Sequence, residues 1–345
     1  MRSSLRAVIV LALSAALLAL FLYNVDLRGV ASQIVHAHVG WLAFSLLTMI
    51  VNLAVRAWRW QYLLEPLGRP AFLPSFRATA VGFAASTVLP ARAGEVIRPY
   101  FLSRQDGRIS ATGAFATVIL ERLLDMITVV VLLACYVVFF PPVTTESNRL
   151  AFETVKVAGL TAAAGAVAAL VVLFLLAGNP ARLAQSLARL ERVLPSKLAG
   201  LLATVAEKFA TGLGIVRRPG RLLVALLLSF PLWLSIAAGI WAVAVAFKLA
   251  VSFVGSFLVI ALLVVGVAVP TPGAVGGFHA FFRFAATTFF GAPDDAAVGA
   301  AIVLHLFTVG PSLLLGLLFA AQEGLNLSRM RTLADQADTK ETAQP

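Results

Sequence analysis

Arg92, Glu95 and Arg98 stand three residues apart in a stretch that is otherwise small or apolar, and Glu121, Arg122 and Asp125 follow inside the long apolar run 111–140. A charged side chain deep in hydrocarbon costs roughly 2.5–3.5 kcal/mol on insertion scales, so such residues face a cavity or one another. Guanidinium groups bind phosphate bidentately, and carboxylates among them balance charge, so the chemistry on offer is the holding of an anionic group. Glu95 and Arg98 share a helical face and can pair, as can Arg122 and Asp125, while Glu121 and Asp125 lie one turn apart. Two plainer readings stay open. Arg92 and Arg98 could snorkel from a shallow hairpin to the membrane interface. The 121–125 group could be a structural ion pair tying its helix to that hairpin, at the inner boundary of a run about 45 Å long at 1.5 Å per residue.

A second set lies in the other half: His279 after Gly276-Gly277, Arg283 one turn on, and His305 within the last apolar span. An intramembrane His can relay protons or bind a headgroup, although for His305 a hydrogen bond to a neighbouring span is the simpler expectation. His36-x-His38 has no ligand spacing of a known metal site, and there is no Walker motif, nucleophile elbow or H-E-x-x-H. We therefore expect no metal, no cofactor and no enzyme.

Both sets flank a break in an apolar segment. The first runs Thr87-Val-Leu-Pro90-Ala-Arg92-Ala-Gly94-Glu95, and the second, roughly 180 residues later, runs Val267-Ala-Val-Pro270-Thr-Pro272-Gly273-Ala-Val-Gly276-Gly277. Pro removes a backbone donor, and Gly opens conformations closed to other residues. Broken backbone survives in hydrocarbon only inside protein or beside a cavity, and paired breaks in two halves point to a transport site. A helix restarting at Gly94 would present its N-terminal N–H groups to an anion beside Arg92.

The elements that must carry these breaks are membrane helices. The chain is 60% hydrophobic and 12% charged, with a mean hydropathy of +0.94, which excludes an ordinary soluble domain. Its net charge of +11 lies between apolar spans, which suits anionic headgroups and excludes nucleic acid as a partner. The single cysteine, Cys135, allows no intrachain disulfide. Spans are expected near 7–25, 40–58, 110–140, 156–177, 222–247 and 297–320, the first an uncleaved N-terminal span. The basic loop 178–221 is the clearest cytoplasmic segment. It stays cytoplasmic, with Arg56, Arg59 and Arg69 inside as well, only if 72–104 enters and leaves on one face. The same logic makes 252–291 enter and leave on the other.

The expected fold is therefore an all-α polytopic membrane protein of about six full transmembrane helices plus two re-entrant helical hairpins, arranged as inverted-topology repeats over about 40–140 and 222–320. A weak echo, Ala116-Thr-Val-Ile-Leu-Glu121 beside Ala300-Ala-Ile-Val-Leu-His305, agrees. One transmembrane domain would span 1–327, with a disordered cytoplasmic tail over 328–345 and both termini cytoplasmic in a bacterial-type inner membrane. Within the linker 178–221, Leu183, Leu187, Leu190 and Leu194, then Leu198, Leu202, Val205 and Phe209, mark amphipathic helices that lie on the inner leaflet or pack on the protein itself.

With these residues in view, the chain resembles the lysylphosphatidylglycerol synthase transmembrane-region family of flippase-like proteins. The matching pieces are Arg56-Ala-Trp-Arg59-Trp60, Leu89-Pro90-Ala-Arg92-Ala-Gly94-Glu95-Val-Ile-Arg98, Glu121-Arg122-Leu-Leu-Asp125 and Pro270-Thr-Pro272-Gly273-Ala-Val-Gly276-Gly277, over roughly 5–325. The resemblance implies a domain that moves lipids between leaflets. It leaves no room in this chain for an attached synthase, so lipid aminoacylation is not expected of it. Many members have an acidic residue where this chain has His279, and an Arg where it has His305, which leaves the headgroup and any proton coupling open.

The expected function is translocation, without ATP hydrolysis, of an anionic phospholipid, glycolipid or polyprenyl-phosphate-linked lipid. Arg92 and Arg98 would hold the phosphate; Glu95, Glu121 and Asp125 would balance those charges, with Arg122 among the binding residues; His279, Arg283 and His305 would form the opposing wall, with backbone donors from Gly273, Gly276 and Gly277. One alternative is a non-transporting subunit that binds a lipid intermediate for a partner synthase or glycosyltransferase. The other is an intramembrane lipid-phosphate enzyme using Glu121, Asp125 or His279 as acid or base.

Overall fold

The computed structural model describes residues 26–89, 92–140, 146–177, 196–268 and 271–323. The expected first span at 7–25, the leucine face 183–194 and the tail from 328 lie outside these residues. Twelve α-helices are described: α1 Leu27–His36, α2 Val39–Leu63, α3 Phe72–Val88, α4 Gly94–Gln105, α5 Ala111–Phe139, α6 Glu146–Leu176, α7 Ser196–Gly212, α8 Pro219–Leu227, α9 Ser229–Ala246, α10 Gly255–Ala268, α11 Gly277–Phe290 and α12 Asp294–Gln322. Short 3-10 turns fill Gly214–Arg217 and Pro272–Ala274. Five stretches are long and apolar enough to cross a membrane: α2, α5, most of α6, α8 with α9, and α12. The chain is thus an all-helical, multi-pass membrane protein.

Sequence sets several boundaries directly. Asp26 caps α1 by accepting from the Arg28 N–H at 3.0 Å, and Ser110 caps α5 by accepting from Gly113 at 3.2 Å. Pro219 opens α8 at a position where its missing donor costs nothing. Gly291 closes α11 in the left-handed conformation, with φ 61°.

Each break produces a helical hairpin. α3 and α4 run antiparallel, and so do α10 and α11, and both pairs touch through glycines. A Cβ on Gly82 would lie 2.6 Å from the Arg98 Cβ, and one on Gly94 would strike the Gly82 carbonyl. In the second hairpin a Cβ on Gly266 would lie 2.6 Å from the Gly277 carbonyl. Glycine here is a requirement of backbone-on-backbone packing, as between membrane helices generally.

The hairpins open toward opposite ends of α12. Near the start of the first, Arg77 reaches Glu323, just past α12, at 3.7 Å; from its other end, Gln105 donates to Glu323 at 3.0 Å. At the far end Gly255 and Phe290, the outer limits of the second hairpin, pack together a few residues before α12 begins.

Packing between the halves is reciprocal. Opening helices α2 and α9 lie against each other, with Ser45 donating to the Gly239 carbonyl at 2.9 Å and Asn52 to the Leu232 carbonyl at 2.8 Å. The first hairpin packs through α3 on α12, the closing helix of the second half. The second hairpin packs through α10 on α5, the closing helix of the first. α7, which carries Val205 and Phe209, lies against α5, with Gly212 pressed on the Gly113 backbone, so this part of the linker packs on the protein itself.

Candidate functional site

α2 and α5 bring four charges together at the centre of the first half. Arg56 and Arg59, one turn apart on α2, face Glu121 and Asp125, one turn apart on α5. Arg59 is fully buried: its Nη1 lies 2.6 Å from Asp125 Oδ1 and its Nη2 3.1 Å from Glu121 Oε1. Arg56 Nη1 sits 3.4 Å from Asp125 Oδ2 and 3.6 Å from Glu121 Oε1, with its guanidinium over the Phe83 ring at 5.1 Å. α9 completes the shell: Trp233 Nε1 donates to Asp125 Oδ1 at 3.0 Å, and Arg59 Nη1 donates to Ser229 Oγ at 2.7 Å. Desolvating such groups is expensive, and opposite charges at close range offset it, although Arg59 Nε and Nη2 are buried with no hydrogen-bond partner among the described residues.

The first hairpin adds a fifth buried charge. Arg98 Nη1 lies 3.0 Å from Glu121 Oε2, and its guanidinium stacks over Trp60 at 3.8 Å. Trp60 is fixed in turn by donating to Thr117 Oγ1 at 3.0 Å. The other edge of Arg98, Nε and Nη2, is buried with no hydrogen-bond partner among the described residues. Three buried guanidinium groups thus face two buried carboxylates, leaving one positive charge in excess.

Around this centre lies a looser layer. Arg122 Nη2 pairs with Glu95 Oε1 at 2.8 Å, whereas its approach to Asp125 is only 3.9 Å. Arg92, at the hairpin tip, has φ 54° and a side chain 43% exposed. It sits 3.9 Å from Glu95 and donates through Nη2 to the Val267 carbonyl, at the end of α10, at 2.8 Å. The two hairpin tips therefore meet, with Gly273 close against Thr87.

The second tip is built from backbone. Gly273 has φ 61°, Ala274 57° and Gly276 91°, a left-handed run that two glycines make affordable in steric terms. His305 Nε2 lies 2.6 Å from the Gly273 carbonyl. The carbonyl can only accept, so Nε2 carries the proton. The His279 ring accepts at Nδ1 from the Gly276 N–H at 3.5 Å, and the two imidazole centroids are 4.6 Å apart.

The expected site residues therefore divide in two. Arg92, Glu95, Arg98, Glu121, Arg122 and Asp125 form one connected network. Gly273, Gly276, Gly277, His279 and His305 surround the second tip, which the Arg92–Val267 bond joins to the first. Arg283 is engaged elsewhere, forking onto Asp294 with two contacts of 2.6 Å at the turn between α11 and α12. Glu95 and Arg98 do not pair with each other, because α5 offers each a better partner. The largest revision concerns Arg56 and Arg59. Charge counting places them on the inner side, at the end of a span over 40–58, and gives them no part in the site; α2 continues to Leu63 and buries both. The signal was their i, i+3 spacing, which matches the unpartnered Glu121 and Asp125. Trp233 and Ser229 carried no such signal.

No curated protein matches the chain. The sequence family described as the lysylphosphatidylglycerol synthase TM region matches residues 7–316. With that match covering nearly all the described helices, the chain belongs to the lysylphosphatidylglycerol synthase transmembrane-region family.

Proposed function

We propose that the protein moves an anionic lipid between membrane leaflets without ATP hydrolysis. The observation that carries this reading is the bare edge of Arg98: a buried guanidinium with two donors unpaired, inside a cluster with one positive charge in excess. A phosphate would satisfy both donors at once and neutralise that charge. Arg92 at the exposed tip would meet the headgroup first, and the acyl chains would stay in the bilayer. In this reading both hairpins re-enter the membrane, from opposite faces, and the two halves are inverted repeats. Their reciprocal packing supports it, since a rocking motion can break one set of contacts as it forms the equivalent other. The protein would sit in a cytoplasmic membrane with both termini inside. The geometry does not favour acid–base catalysis: Glu121 and Asp125 are tied up by arginines, and His279 belongs to the other tip.

Reconstitution into liposomes with fluorescent phosphatidylglycerol, phosphatidic acid and phosphatidylethanolamine tests the proposal. The expected result is faster loss of dithionite protection for an anionic lipid with the native protein than with Arg92→Ala. Equal rates across all headgroups, with and without a pH gradient, would overturn it. A synthase or glycosyltransferase co-purifying with such inactive protein would favour the lipid-binding subunit instead.

A further inference from the structure

The two halves join hairpin to closing helix in chemically different ways. In the first half, α4 meets α5 through the Arg98–Glu121 ion pair. In the second, α11 meets α12 through His279 and His305, and His305 aligns with Glu121 in the sequence echo. Imidazole is the side chain whose charge changes near physiological pH.

We propose that His279 and His305 form a single proton-binding site that sets the conformation of the second break. Each ring is tied to the break's own backbone, His305 to the Gly273 carbonyl and His279 to the Gly276 N–H. Neutral His279 accepts at Nδ1. A proton added there turns the acceptor into a donor facing the Gly276 donor, so the contact that caps α11 is lost. The proton comes from water. With centroids 4.6 Å apart, two imidazolium rings repel, so the pair takes up one proton before it can take a second. Arg92, exposed beside the Val267 carbonyl, marks the junction of the tips as accessible to water, because a guanidinium in hydrocarbon would be costly.

Charged groups stand on several of the elements packed around the pair. α10 and the Pro272–Ala274 turn carry none; Arg283 on α11 is bonded to Asp294, and Asp295 shares the first turn of α12, far along the helix from His305. α6, which touches α11, brings Glu146, Arg149, Glu153 and Lys156, the last two paired at 3.0 Å. α3, against the 3-10 turn, brings Arg77, which is engaged with Glu323. Arg28 and His36 of α1 and Arg56 and Arg59 of α2 lie on further helices packed along α12, and α5, against α10, brings Glu121, Arg122 and Asp125, all within the ion-pair network of the first half.

The proton site stands apart from lipid movement, but its use as a coupling site rests on the lipid-moving reading. The test uses the full chain with His36→Gln and His38→Gln, labelled with 15N-histidine, in bilayers of phosphatidylcholine and phosphatidylglycerol. Between about pH 7.5 and pH 5, nitrogen spectra should show uptake of about one proton shared by the pair. A second readout places a cysteine at Val275 with Cys135→Ser and follows its labelling by an impermeant thiol reagent. The ratio of that labelling to the same protein carrying His279→Gln should rise about threefold or more over this range. Two imidazoles that charge independently, or that stay neutral to about pH 4, would overturn the proposal, as would a flat ratio. A normal one-proton titration and a rising ratio without lipid movement at any pH would support the proton site while removing the lipid-moving reading.

Discussion

Asp125 takes contacts from four donors: Arg59 at 2.6 Å, Trp233 at 3.0 Å, Arg56 at 3.4 Å and, more distantly, Arg122 at 3.9 Å. Replacing it with the isosteric Asn keeps the shape but leaves Arg56 and Arg59 to share Glu121 with Arg98. Removing one partner of a buried ion pair costs about 3–5 kcal/mol, since the remaining charge is stranded. Asp125→Asn should therefore lower the thermal midpoint in detergent sharply, followed through the fluorescence of neighbouring Trp60 and Trp233. Arg283→Gln removes an equally short contact, but Asp294 is 44% exposed, so its effect should be only about 0–1 kcal/mol. A similar loss in both variants would show that the buried cluster is not what holds α2 to α5. The sequence made the acids of this cluster conspicuous, since charges at 121, 122 and 125 interrupt a long apolar run. Arg56 and Arg59 sit near the end of their run, where a loop charge and a buried ligand look alike. Only the continuation of α2 past them to Leu63 separates the two.

At the scale of elements, the hairpins depend on glycines placed opposite one another. The glycines after each break, Gly94 and Gly276-Gly277, were legible because they follow a proline by four or five residues within segments that are otherwise mostly apolar. Their partners Gly82 and Gly266 were not, because a glycine inside a membrane helix has many uses and only the fold shows what lies across from it. Gly94→Ala would force a Cβ into the Gly82 carbonyl and the Ser86 side chain. Overpacking of this kind costs about 1–3 kcal/mol, and here it must push α3 from α4. Because Arg98 reaches Glu121 from α4, the same change should also weaken the proposed lipid movement. Gly165→Ala is the control: nothing lies within 4 Å of its added Cβ, so it should be neutral or stabilise by up to about 1 kcal/mol. If Gly94→Ala behaves like Gly165→Ala in melting and transport, the close approach of the two helices is not needed.

Across the whole molecule, one end is recognisable from its ionic clasps. Glu65, in the loop after α2, pairs with Arg221 at 2.6 Å and Arg69 at 2.8 Å, joining that loop to the start of α8. Burial alone would raise the Glu65 pKa, but the two arginines outweigh it and hold the carboxyl below its usual range. The clasp is thus present near neutral pH and is lost as pH falls through this lowered value. Gln105 and Arg77 meet Glu323 in a similar way, so the first hairpin begins and ends beside one end of α12, while the second opens at the other. Charge counting on sequence leads to two hairpins that enter from opposite faces, and it rests on Arg69, Arg104, Arg108 and the 217–221 cluster more than on Arg56 and Arg59, which the fold buries. Its membrane consequence can be read directly. In a Cys135→Ser background, cysteines replacing Arg69 and Gly107 should both be labelled from one face of oriented vesicles by an impermeant maleimide. Cysteines replacing Ser252 and Pro293 should both be labelled from the opposite face. Labelling of Arg69→Cys and Gly107→Cys from different faces would mean that α3 and α4 together cross the bilayer. The halves could not then be inverted repeats, and Arg98 would lie on a crossing path instead of at the foot of a hairpin that a headgroup reaches from one side.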